Sequence, residues 1–331
     1  MKPSIGITGA SGFIGSHLTE NLLKKGHRVK ALVKYNSNNF TGWLNEIDSS
    51  DRNNLEIKFG DIRDYSICED FIKGCDVVFN LAALIGIPYS YLAPESYFDV
   101  NVKGTLNLLK ASNSFKIKKF IQFSTSEVYG TPDTVPIKET HPLNAQSPYA
   151  ASKIASDQLA LSFYNSFKSP IVIIRPFNVF GPRQSERAVI SSIINQILSC
   201  KNEKIRLGSL WPERDFNYVE DSVESISKVI EPKNIDGQVI NIGSGFKISI
   251  GEVAKIVMKI TNKQVKILEE KKRIRPKESE VKYLQCDNQK SIDMGLYKKN
   301  CNSKVMFENG IEKTIDWFRK KIRMGSSDYQ I

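Results

Sequence analysis

The sequence lacks the features that are typical of membrane and secreted proteins. No run of residues approaches the roughly 20 apolar residues that a helix needs to cross a bilayer. The N-terminal stretch lacks the apolar core and the small-residue cleavage site of a signal peptide. The five cysteines are scattered without a C-x-x-C pair, so we expect unpaired thiols in a reducing compartment. These absences predict a cytoplasmic protein that does not bind a membrane.

Histidine is scarce, and the basic charge is not concentrated in one place. The three histidines lie far apart, so we expect no metal site. The formal net charge of +11 raises the question of nucleic-acid binding. However, the bases are mostly lysines spread over the chain, and the densest stretch, EEKKRIRPK at 269–277, includes acids. A solvated, lysine-rich surface that favours anionic metabolites is therefore expected, with no nucleic-acid partner.

Strand-like and helix-like segments alternate through the first half of the chain. The predicted strands span 4–9, 28–33, 55–61, 76–83, 118–125 and 170–177, and the predicted helices span 13–25, 101–113 and 149–167. Apolar strands alternating with helices predict a parallel sheet that is covered on both faces. The fold class is therefore α/β, with a Rossmann-type doubly wound parallel sheet.

The pattern becomes mixed after about residue 177. Predicted helices at 186–200, 221–230 and 251–260 are separated by short strands such as 239–243, and no repeat or flexible linker interrupts them. We expect a first domain over 1–177, with later segments near 215–245 returning to it. A smaller, intimately joined C-terminal substrate lobe would take most of 178–320, and 321–331 would be a tail.

A glycine loop joins the first predicted strand to the first predicted helix. The stretch GASGFIG places glycines at Gly9, Gly12 and Gly15. Such a loop lets a pyrophosphate approach the backbone without meeting a Cβ atom, and the helix that follows offers its free N–H groups to the phosphates. The G-x-x-G-x-x-G spacing differs from the commoner G-x-G-x-x-G. The context predicts dinucleotide binding, and the alternative is a turn built only for packing.

The second predicted strand ends without an acidic residue. An acid at this position would bind the adenosine ribose hydroxyls and favour NAD. This chain has Val33, Lys34, Tyr35 and Asn36 there. Lys34 could meet a 2′-phosphate, which favours NADP over NAD, although a solvated loop lysine would look the same.

A tyrosine and a lysine lie one helical turn apart at the start of the long helix. Ser147 and Pro148 are suited to the N-cap and first helical position, and Tyr149 and Lys153 then share a helix face. An ammonium and a cationic nicotinamide would lower a phenol pKa from about 10 towards neutrality. The phenolate could then take a proton from a substrate hydroxyl while hydride leaves the same carbon. The pair alone is common by chance.

Thr125 follows a predicted strand, and Glu127 comes two residues later. Ligands of open α/β sheets bind outside the carboxyl ends of the strands. Thr125 and Glu127 are therefore expected where cofactor and substrate meet.

Four motifs together resemble one family. GASGFIG, STSEVYG, YAASK and RPFNVFGPRQ occur in this order and are similar to the extended short-chain dehydrogenase/reductases, which modify nucleotide sugars. The resemblance runs from the first strand to about residue 320. It implies a Rossmann domain, a nucleotide-sugar lobe and a tightly held nicotinamide that is recycled in each turnover. It also implies that Thr125, Tyr149 and Lys153 form the hydride-transfer triad.

The same resemblance implies a set of cofactor contacts, in which Asp61 meets the adenine edge. The implied cofactor-binding residues are Gly9, Ser11, Gly12, Phe13, Ile14, Gly15, Lys34, Asp61, Ile62, Leu81, Ala82, Ala83, Tyr149 and Lys153.

Members of this family oxidise the sugar at C4 and then diverge into epimerases, decarboxylases and 4,6-dehydratases. A dehydratase needs a base at C5 and proton delivery to the C6 hydroxyl. Glu127 suits the base, although a solvent-facing turn carboxylate is the alternative. Ser126 stands where many deoxysugar dehydratases carry an acidic Asp. Thr-Ser-Glu resembles both GDP-mannose-type dehydratases and UDP-glucuronate decarboxylases, so the motif alone does not separate them.

Longer stretches resemble two groups of dehydratases. Residues 31–44 are similar to the cofactor loop of GDP-mannose-type dehydratases, which use NADP. Residues 83–109, 207–223 and 274–281 are similar to the 4,6-dehydratases of legionaminic and related acid pathways, which act on a nucleotide-linked N-acetylglucosamine. The resemblance implies substrate contacts, with each residue alternatively an ordinary surface side chain. The implied substrate-binding residues are Asn178, Arg214 and Arg275, which would contact the nucleotide diphosphate, Glu280, which would bind the ribose, and Arg183.

The expected function is that of a nucleotide-sugar 4,6-dehydratase in surface-glycan sugar biosynthesis. GDP-N-acetylglucosamine would be converted to its 4-keto-6-deoxy product, with Glu127 as the base and Ser126, or a water that it holds, helping the C6 hydroxyl to leave. The alternatives are a UDP-glucuronate-type decarboxylase, a 4-epimerase and a non-catalytic dinucleotide-sensing module.

The long helix carries a second stripe of small and apolar residues, formed by Ala151, Ala155, Leu159 and Phe163. Together with helix 101–113, this stripe could build a four-helix bundle between two subunits. A homodimer is therefore expected, and ordinary packing against the sheet is the alternative.

Overall fold

The structure is a computed structural model that describes residues 2–200, 203–232, 234–270, 280–298 and 302–323. Its strands, numbered in chain order, are β1 Ser4–Thr8, β2 Arg28–Lys34, β3 Leu55–Gly60, β4 Val77–Asn80, β5 Lys119–Phe123, β6 Ile171–Pro176, β7 Asn178–Phe180, β8 Lys204–Leu207, β9 Glu213–Tyr218, β10 Val239–Ile242, β11 Lys247–Ser249, β12 Lys266–Glu269 and β13 Tyr283–Leu284. Its helices are α1 Phe13–Lys24, α2 Tyr65–Ile72, α3 Ile87–Ser90, α4 Pro94–Tyr97, α5 Gly104–Ser114, α6 Pro148–Phe167, α7 Val189–Ser199, α8 Val219–Ser227, α9 Ile250–Thr261, α10 Gln289–Asp293 and α11 Ser303–Arg323.

Seven parallel strands form the central sheet. Their order is β10-β6-β5-β4-β1-β2-β3, and every neighbouring pair is parallel. The order reverses between β1 and β4, which creates a crevice outside the carboxyl ends of these two strands. The Rossmann-type α/β fold expected from the sequence is thereby confirmed.

The central strands are apolar on both faces because helices cover both. Every residue of β4, β5 and β6 is buried. Alternate residues face opposite sides: Val77 and Phe79 pack in the cluster that contains α1, whereas Val78 packs with residues of α2 and α5. This double burial explains why the strands read as continuous apolar runs in the sequence.

The second lobe is built around a smaller sheet. Strand β9 pairs with β7, β11 and β13, and β8 pairs with β12. The chain then returns to the central sheet, where β10 pairs with β6. The division into residue ranges made from the sequence stays a prediction.

Two element boundaries differ from the expectation in ways that matter for the site. The strand expected over 76–83 ends at Asn80, so the three following residues are free to turn towards the glycine loop. The helix expected over 101–113 is preceded by a π-helical turn, Phe98–Lys103. None of the helices in the described ranges is both long and apolar enough to span a membrane.

Candidate active site

The glycine loop is closed tightly against β1 and the end of β4. Gly9 has a φ of +67°, and a Cβ atom there would lie 2.9 Å from the backbone nitrogen of Ala82. A Cβ atom on Gly15 would overlap the carbonyl oxygen of Gly9. The Gly12 N–H donates to that carbonyl at 3.1 Å, which fixes the turn. Gly9 and Gly15 therefore serve the backbone geometry of the loop.

Gly12 has a different function, because its exposed side is open. A Cβ atom there would meet only the Gly9 carbonyl oxygen, at 3.3 Å, within 4 Å. Gly12 is also the N-cap of α1 and has no side chain to occupy the first-turn N–H groups of that helix. Free N–H groups at a helix N-terminus favour phosphate. The residues present therefore fit the pyrophosphate of a dinucleotide.

The segment after β4 is held beside the loop by buried hydrogen bonds. The Thr8 hydroxyl donates to Asn80 Oδ1 at 2.8 Å and accepts the Ala82 N–H at 3.0 Å. The Asn101 side chain, in the π-helical turn, binds both the N–H and the carbonyl of Leu84. Leu81, Ala82 and Ala83, predicted to contact the cofactor, therefore lie against the glycine loop. Asn101 had no signal in the sequence that separated it from an ordinary helix residue.

Charged side chains lie at the carboxyl ends of β2 and β3. Lys34 is exposed at the end of β2, and Asp61 follows β3, with Ile62 buried behind it. The Arg63 guanidinium binds both carboxylate oxygens of Asp61, at 2.7 and 3.0 Å, and is the main reason why the pKa of Asp61 is lowered; Lys34 contributes in the same direction. Arg63 was missed in the sequence, although it stands two residues after Asp61.

The segment after β2 covers Ser11, another predicted cofactor contact. The Trp43 N–H donates to the Ser11 carbonyl at 3.1 Å, and a Cβ atom on Gly42 would meet the same carbonyl at 2.6 Å. Phe13 and Ile14 begin α1 directly after the loop and are half-buried.

Three of the predicted catalytic residues meet beyond the carboxyl end of β5. Thr125 caps a short 3₁₀ turn, Ser126–Tyr129, by accepting the Glu127 N–H at 3.2 Å. Ser147 caps α6 by accepting the Ala150 N–H at 3.1 Å, which places Tyr149 in the first turn. The Tyr149 phenol hydrogen-bonds the Thr125 side chain. The sequence-based grouping of Thr125 with Tyr149 is thus present in the structure.

Burial has the largest effect on the pKa values of Tyr149 and Lys153, the two candidate catalytic residues on α6. It raises the pKa of Tyr149 above its ordinary value, an effect that the Thr125 hydrogen bond partly offsets. The expected lowering of that pKa is therefore not produced by the chain alone. Burial also lowers the pKa of Lys153 to about 8, and Asp157 opposes this. The Lys153 ammonium donates to the carbonyl oxygen of Phe123.

Glu127 and Ser126 lie on the same turn as Thr125. Glu127 is half-buried, and its charge contributes to the raised pKa of Tyr149, so the carboxylate acts on the same phenol. Ser126 is 2% exposed. The turn therefore presents a carboxylate beside the candidate base, as a reaction at two carbons of one sugar would require.

An aromatic residue that the sequence analysis overlooked supports Tyr149. The Tyr97 ring packs edge-on against the Tyr149 ring at 6.2 Å, and its hydroxyl donates to the Gly86 carbonyl. Ile87 and Leu84 complete this small apolar cluster. The segment after β4 thus forms one wall of the site.

The predicted substrate residues are distributed over two places. Arg214 and Glu280 form an ion pair at 3.2 Å, and both are largely buried. The buried Oδ1 atom of Asn178, at the start of β7, has no hydrogen-bond partner among the described residues. Arg275 lies outside the described residues.

Arg183, which was also predicted to contact the substrate, binds side chains of α1 and of the segment after β2. Its guanidinium binds Glu20 at 2.8 Å and Glu46 at 3.3 Å, and it approaches the Ser16 hydroxyl of α1 at 3.5 Å. These contacts tie the segment after β7 to the cofactor side. Its function as a substrate contact stays a prediction that these contacts do not support.

The comparisons agree on the family and disagree on the reaction. The family model described as GDP-mannose 4,6 dehydratase matches residues 7–314. A dTDP-D-glucose 4,6-dehydratase of Dictyostelium discoideum is 34% identical over 77% of this chain, which spans 61% of that relative. A UDP-N-acetyl-alpha-D-glucosaminuronate decarboxylase of Bacillus cytotoxicus is 33% identical over 97% of this chain and 99% of the relative.

One solved neighbour has NAD bound. The UDP-glucuronic acid 4-epimerase from Bacillus cereus, in complex with UDP-glucuronic acid and NAD, is 29% identical and superimposes with a TM-score of 0.84 over 96% of this chain and 99% of that chain. The chain belongs to the extended short-chain dehydrogenase/reductases, in the NAD-dependent family of nucleotide-sugar dehydratases, epimerases and decarboxylases that the GDP-mannose 4,6 dehydratase model describes.

Proposed function

We propose that the protein is a 4,6-dehydratase of a nucleotide-linked N-acetylhexosamine, with GDP-N-acetylglucosamine as the substrate. The observation that carries this proposal is Glu127, whose carboxylate stands on the turn capped by Thr125 and acts on the Tyr149 phenol. Oxidation at C4 needs only the phenol side of this pair. A carboxylate beside it supplies the base that elimination across C5 and C6 requires.

The positions of the side chains support the following steps. A bound nicotinamide supplies the acceptor and later the donor of hydride. Tyr149 takes the proton of the C4 hydroxyl, Thr125 holds the phenol oxygen by its hydrogen bond, and the Lys153 charge favours the phenolate. Glu127 removes the C5 proton, and Ser126, or a water that it orients, helps the C6 hydroxyl to leave as water. The resulting C5–C6 double bond is then saturated, with the hydride taken from C4 added at C6 and a proton returned to C5 by Glu127.

NADP is the proposed cofactor. Lys34 stands exposed at the end of β2, and its charge acts on Asp61 at the end of the neighbouring strand β3. Lys34 and Arg63 together would give a 2′-phosphate two cationic partners, which suits NADP better than NAD.

A UDP-glucuronate-type decarboxylase is the second candidate. Ser126 supplies a hydroxyl where many dehydratases supply an acid, and the Thr125-Ser126-Glu127 sequence fits both reactions. Similarity to the Bacillus cytotoxicus decarboxylase over nearly the whole chain supports the same alternative.

One assay distinguishes a dehydratase from a decarboxylase, an epimerase and a dinucleotide-sensing module. The protein is incubated with GDP-N-acetylglucosamine, UDP-N-acetylglucosamine and UDP-glucuronate, and the products are weighed by mass spectrometry. Loss of water is expected from GDP-N-acetylglucosamine. Loss of carbon dioxide would identify the decarboxylase, and an isomer of unchanged mass the epimerase. Dinucleotide binding without any reaction would favour the sensing module.

The proposal includes a homodimer in the cytoplasm. Ala151 is exposed on α6, Leu159 is half-buried on the same stripe, and Phe98 and Phe167 are each 60% exposed. Phe98 lies in the π-helical turn before α5 and Phe167 ends α6. Apolar side chains exposed on these two elements are suited to contact with a second copy of the chain. The thiols of Cys68, Cys75 and Cys286 are buried and unpaired, as is usual in a reducing compartment.

A further inference from the structure

A buried ion pair lies one helical turn beyond Lys153. Asp157 is fully buried, and Arg175 of β6 is 2% exposed. Both the Nε and an Nη atom of Arg175 lie 3.1 Å from Asp157 Oδ2, and the Ser124 hydroxyl donates to the same oxygen at 2.8 Å. The other oxygen, Oδ1, is buried without a hydrogen-bond partner among the described residues. The carboxylate is therefore held firmly by one oxygen only.

Arg175 is itself anchored from two further elements. Its Nη1 donates to the Tyr129 hydroxyl at 3.1 Å, and the guanidinium lies 5.1 Å from the centre of the Tyr129 ring. The Tyr129 hydroxyl donates in turn to Asn241 Oδ1, on β10, at 2.7 Å. The guanidinium is thus immobilised by β6, by the 3₁₀ turn that carries Glu127, and by β10.

The pair continues the catalytic face of α6. Tyr149, Lys153 and Asp157 follow one another at intervals of four residues and so share one side of the helix. The negative charge of Asp157 raises the pKa of Lys153, and the positive charges of Arg175 and Lys153 oppose the burial that raises the pKa of Asp157. A phenol, an ammonium, a carboxylate and a guanidinium therefore form one buried column.

Stability alone does not explain this column. Removing two opposite charges from water is unfavourable enough that a buried ion pair often stabilises a fold no better than well-packed apolar residues do. The unpaired Oδ1 atom makes the arrangement less favourable still. Unlike two apolar residues, the ion pair places a fixed negative charge beside Lys153.

We propose that Asp157, held by Arg175 and Ser124, is a positioning residue that keeps the Lys153 ammonium charged and thereby sets the pH range in which Tyr149 acts as a base. The inference rests on the proposed functions of Tyr149 and Lys153. It assigns a function to Asp157, which lies outside the four motifs, and to Arg175, which begins RPFNVFGPRQ but had no function of its own.

The sign of the effect follows from the charges that face the two groups. Tyr149 is faced by Glu127, Tyr97 and Asp157, and Lys153 by Asp157, which Arg175 and Tyr129 back from the sheet side. Replacing Asp157 by Asn removes a negative charge. This lowers the pKa of every neighbouring group, so Lys153 loses its proton at lower pH and both limbs of a pH–rate profile move in the acidic direction.

The test is the pH dependence of the first half-reaction. Reduction of the bound nicotinamide is followed by absorbance after mixing the holoenzyme with GDP-N-acetylglucosamine, UDP-N-acetylglucosamine or UDP-glucuronate. We expect Asp157→Asn to move both limbs to lower pH by about one unit, and Asp157→Glu to restore them. Limbs that stay in place while the rate falls at every pH, or that move to higher pH, would overturn the proposal.

Asp215→Asn is the matched control for loss of a buried carboxylate. Asp215 is equally buried on β9, where the Ser244 hydroxyl and the N–H groups of Gly245 and Cys286 bind it. This variant is expected to destabilise the protein without moving either limb. If it moves the limbs as far as Asp157→Asn does, the effect is structural and the proposal fails.

A second measurement needs no substrate. The ionisation of Tyr149 is read as the difference in tyrosinate absorbance between the holoprotein and its Tyr149→Phe variant, with and without Asp157→Asn. A lower pKa of Tyr149 in the Asp157→Asn background supports the proposal, and an unchanged pKa contradicts it. If no sugar reduces the nicotinamide, the proposed function fails while this titration still tests the ion pair. Should Asp157→Asn not fold, Asp157→Asn with Arg175→Gln removes both charges. A smaller acidic shift is then expected, because loss of the Arg175 charge raises neighbouring pKa values, whereas Asp157 is the charge that faces Lys153.

Discussion

At the scale of single residues, the chemistry depends on which charge stands beside the Tyr149 phenol. Thr125 and Tyr149 alone describe an oxidation that epimerases, decarboxylases and dehydratases share. Glu127 is the residue that we propose for chemistry at C5, and its charge contributes to the raised pKa of Tyr149. Oxidation at C4 and proton removal at C5 can therefore be tested separately by substitution.

Replacing Glu127 by Gln removes the proposed base and keeps the shape of the turn. We expect dehydration to fall by about 100-fold or more, while reduction of the bound nicotinamide still occurs because the C4 step does not use Glu127. Product mass and nicotinamide absorbance are measured together. Unchanged dehydration, or equal loss of both signals, would contradict the assignment. Glu139→Gln, a half-buried glutamate that accepts the Asn241 N–H, is a control for loss of a carboxylate near the sheet.

We propose that one or two side chains also decide the preference for NADP over NAD. Replacing Lys34 by Ala is expected to weaken NADP binding by about 10-fold, because a charged contact to phosphate is lost, and to leave NAD binding nearly unchanged. The two dissociation constants are measured by titration of the protein with each dinucleotide. Lys73→Ala, at the opposite end of the sheet, should change neither. Equal weakening of both dinucleotides would refute a 2′-phosphate contact.

At the scale of elements, much of the site could be predicted from the sequence because it depends on local rules. The glycine loop, the Ser147 cap and the placement of Tyr149 and Lys153 on one face of α6 all follow from residue spacing. Asn101, Tyr97 and the Asp157–Arg175 pair could not be predicted, because each acts through a residue far away in sequence. Arg183 was predicted from its motif to contact the substrate; its ion pairs with Glu20 and Glu46 could not be predicted, and its contact with the substrate stays a prediction.

The three glycines of the loop are expected to respond differently to alanine. Gly15→Ala should destabilise the protein by about 1–3 kcal/mol, because the added Cβ overlaps the Gly9 carbonyl. Gly12→Ala should fold normally but lose dinucleotide affinity, because its Cβ would point into the open side of the loop. Thermal unfolding and dinucleotide titration measure the two effects. Gly251→Ala in α9 is the control, because the nearest atom to its added Cβ would be 3.6 Å away; it should be neutral or stabilising. A Gly12→Ala variant that binds dinucleotide normally would refute the phosphate site.

At the scale of the whole molecule, α6 carries a stripe of small and apolar residues outside the face that bears Tyr149. Ala151 is exposed, whereas Leu159 is half-buried and packs against the hydrophobic cluster that contains residues of α2 and α5. We propose that the exposed part of this stripe contacts a second copy of the chain.

Introducing a charge on this stripe should separate the subunits. Ala151→Glu together with Leu159→Lys is expected to convert a dimer to a monomer, because charges at the centre of an apolar interface would lose their water. Light scattering after gel filtration measures the mass. Val305→Lys, at a residue that is 47% exposed on α11, is the control and should leave the mass unchanged. A wild-type protein that is already monomeric contradicts the dimer.

The measurement that tests the central claim most directly is the mass of the product formed from GDP-N-acetylglucosamine in heavy water. If Glu127 exchanges the C5 proton with solvent during elimination, the product should have lost one water and gained one carbon-bound deuterium. A product of unchanged mass, without deuterium, would show that the hydride returns to C4 and that the protein is an epimerase.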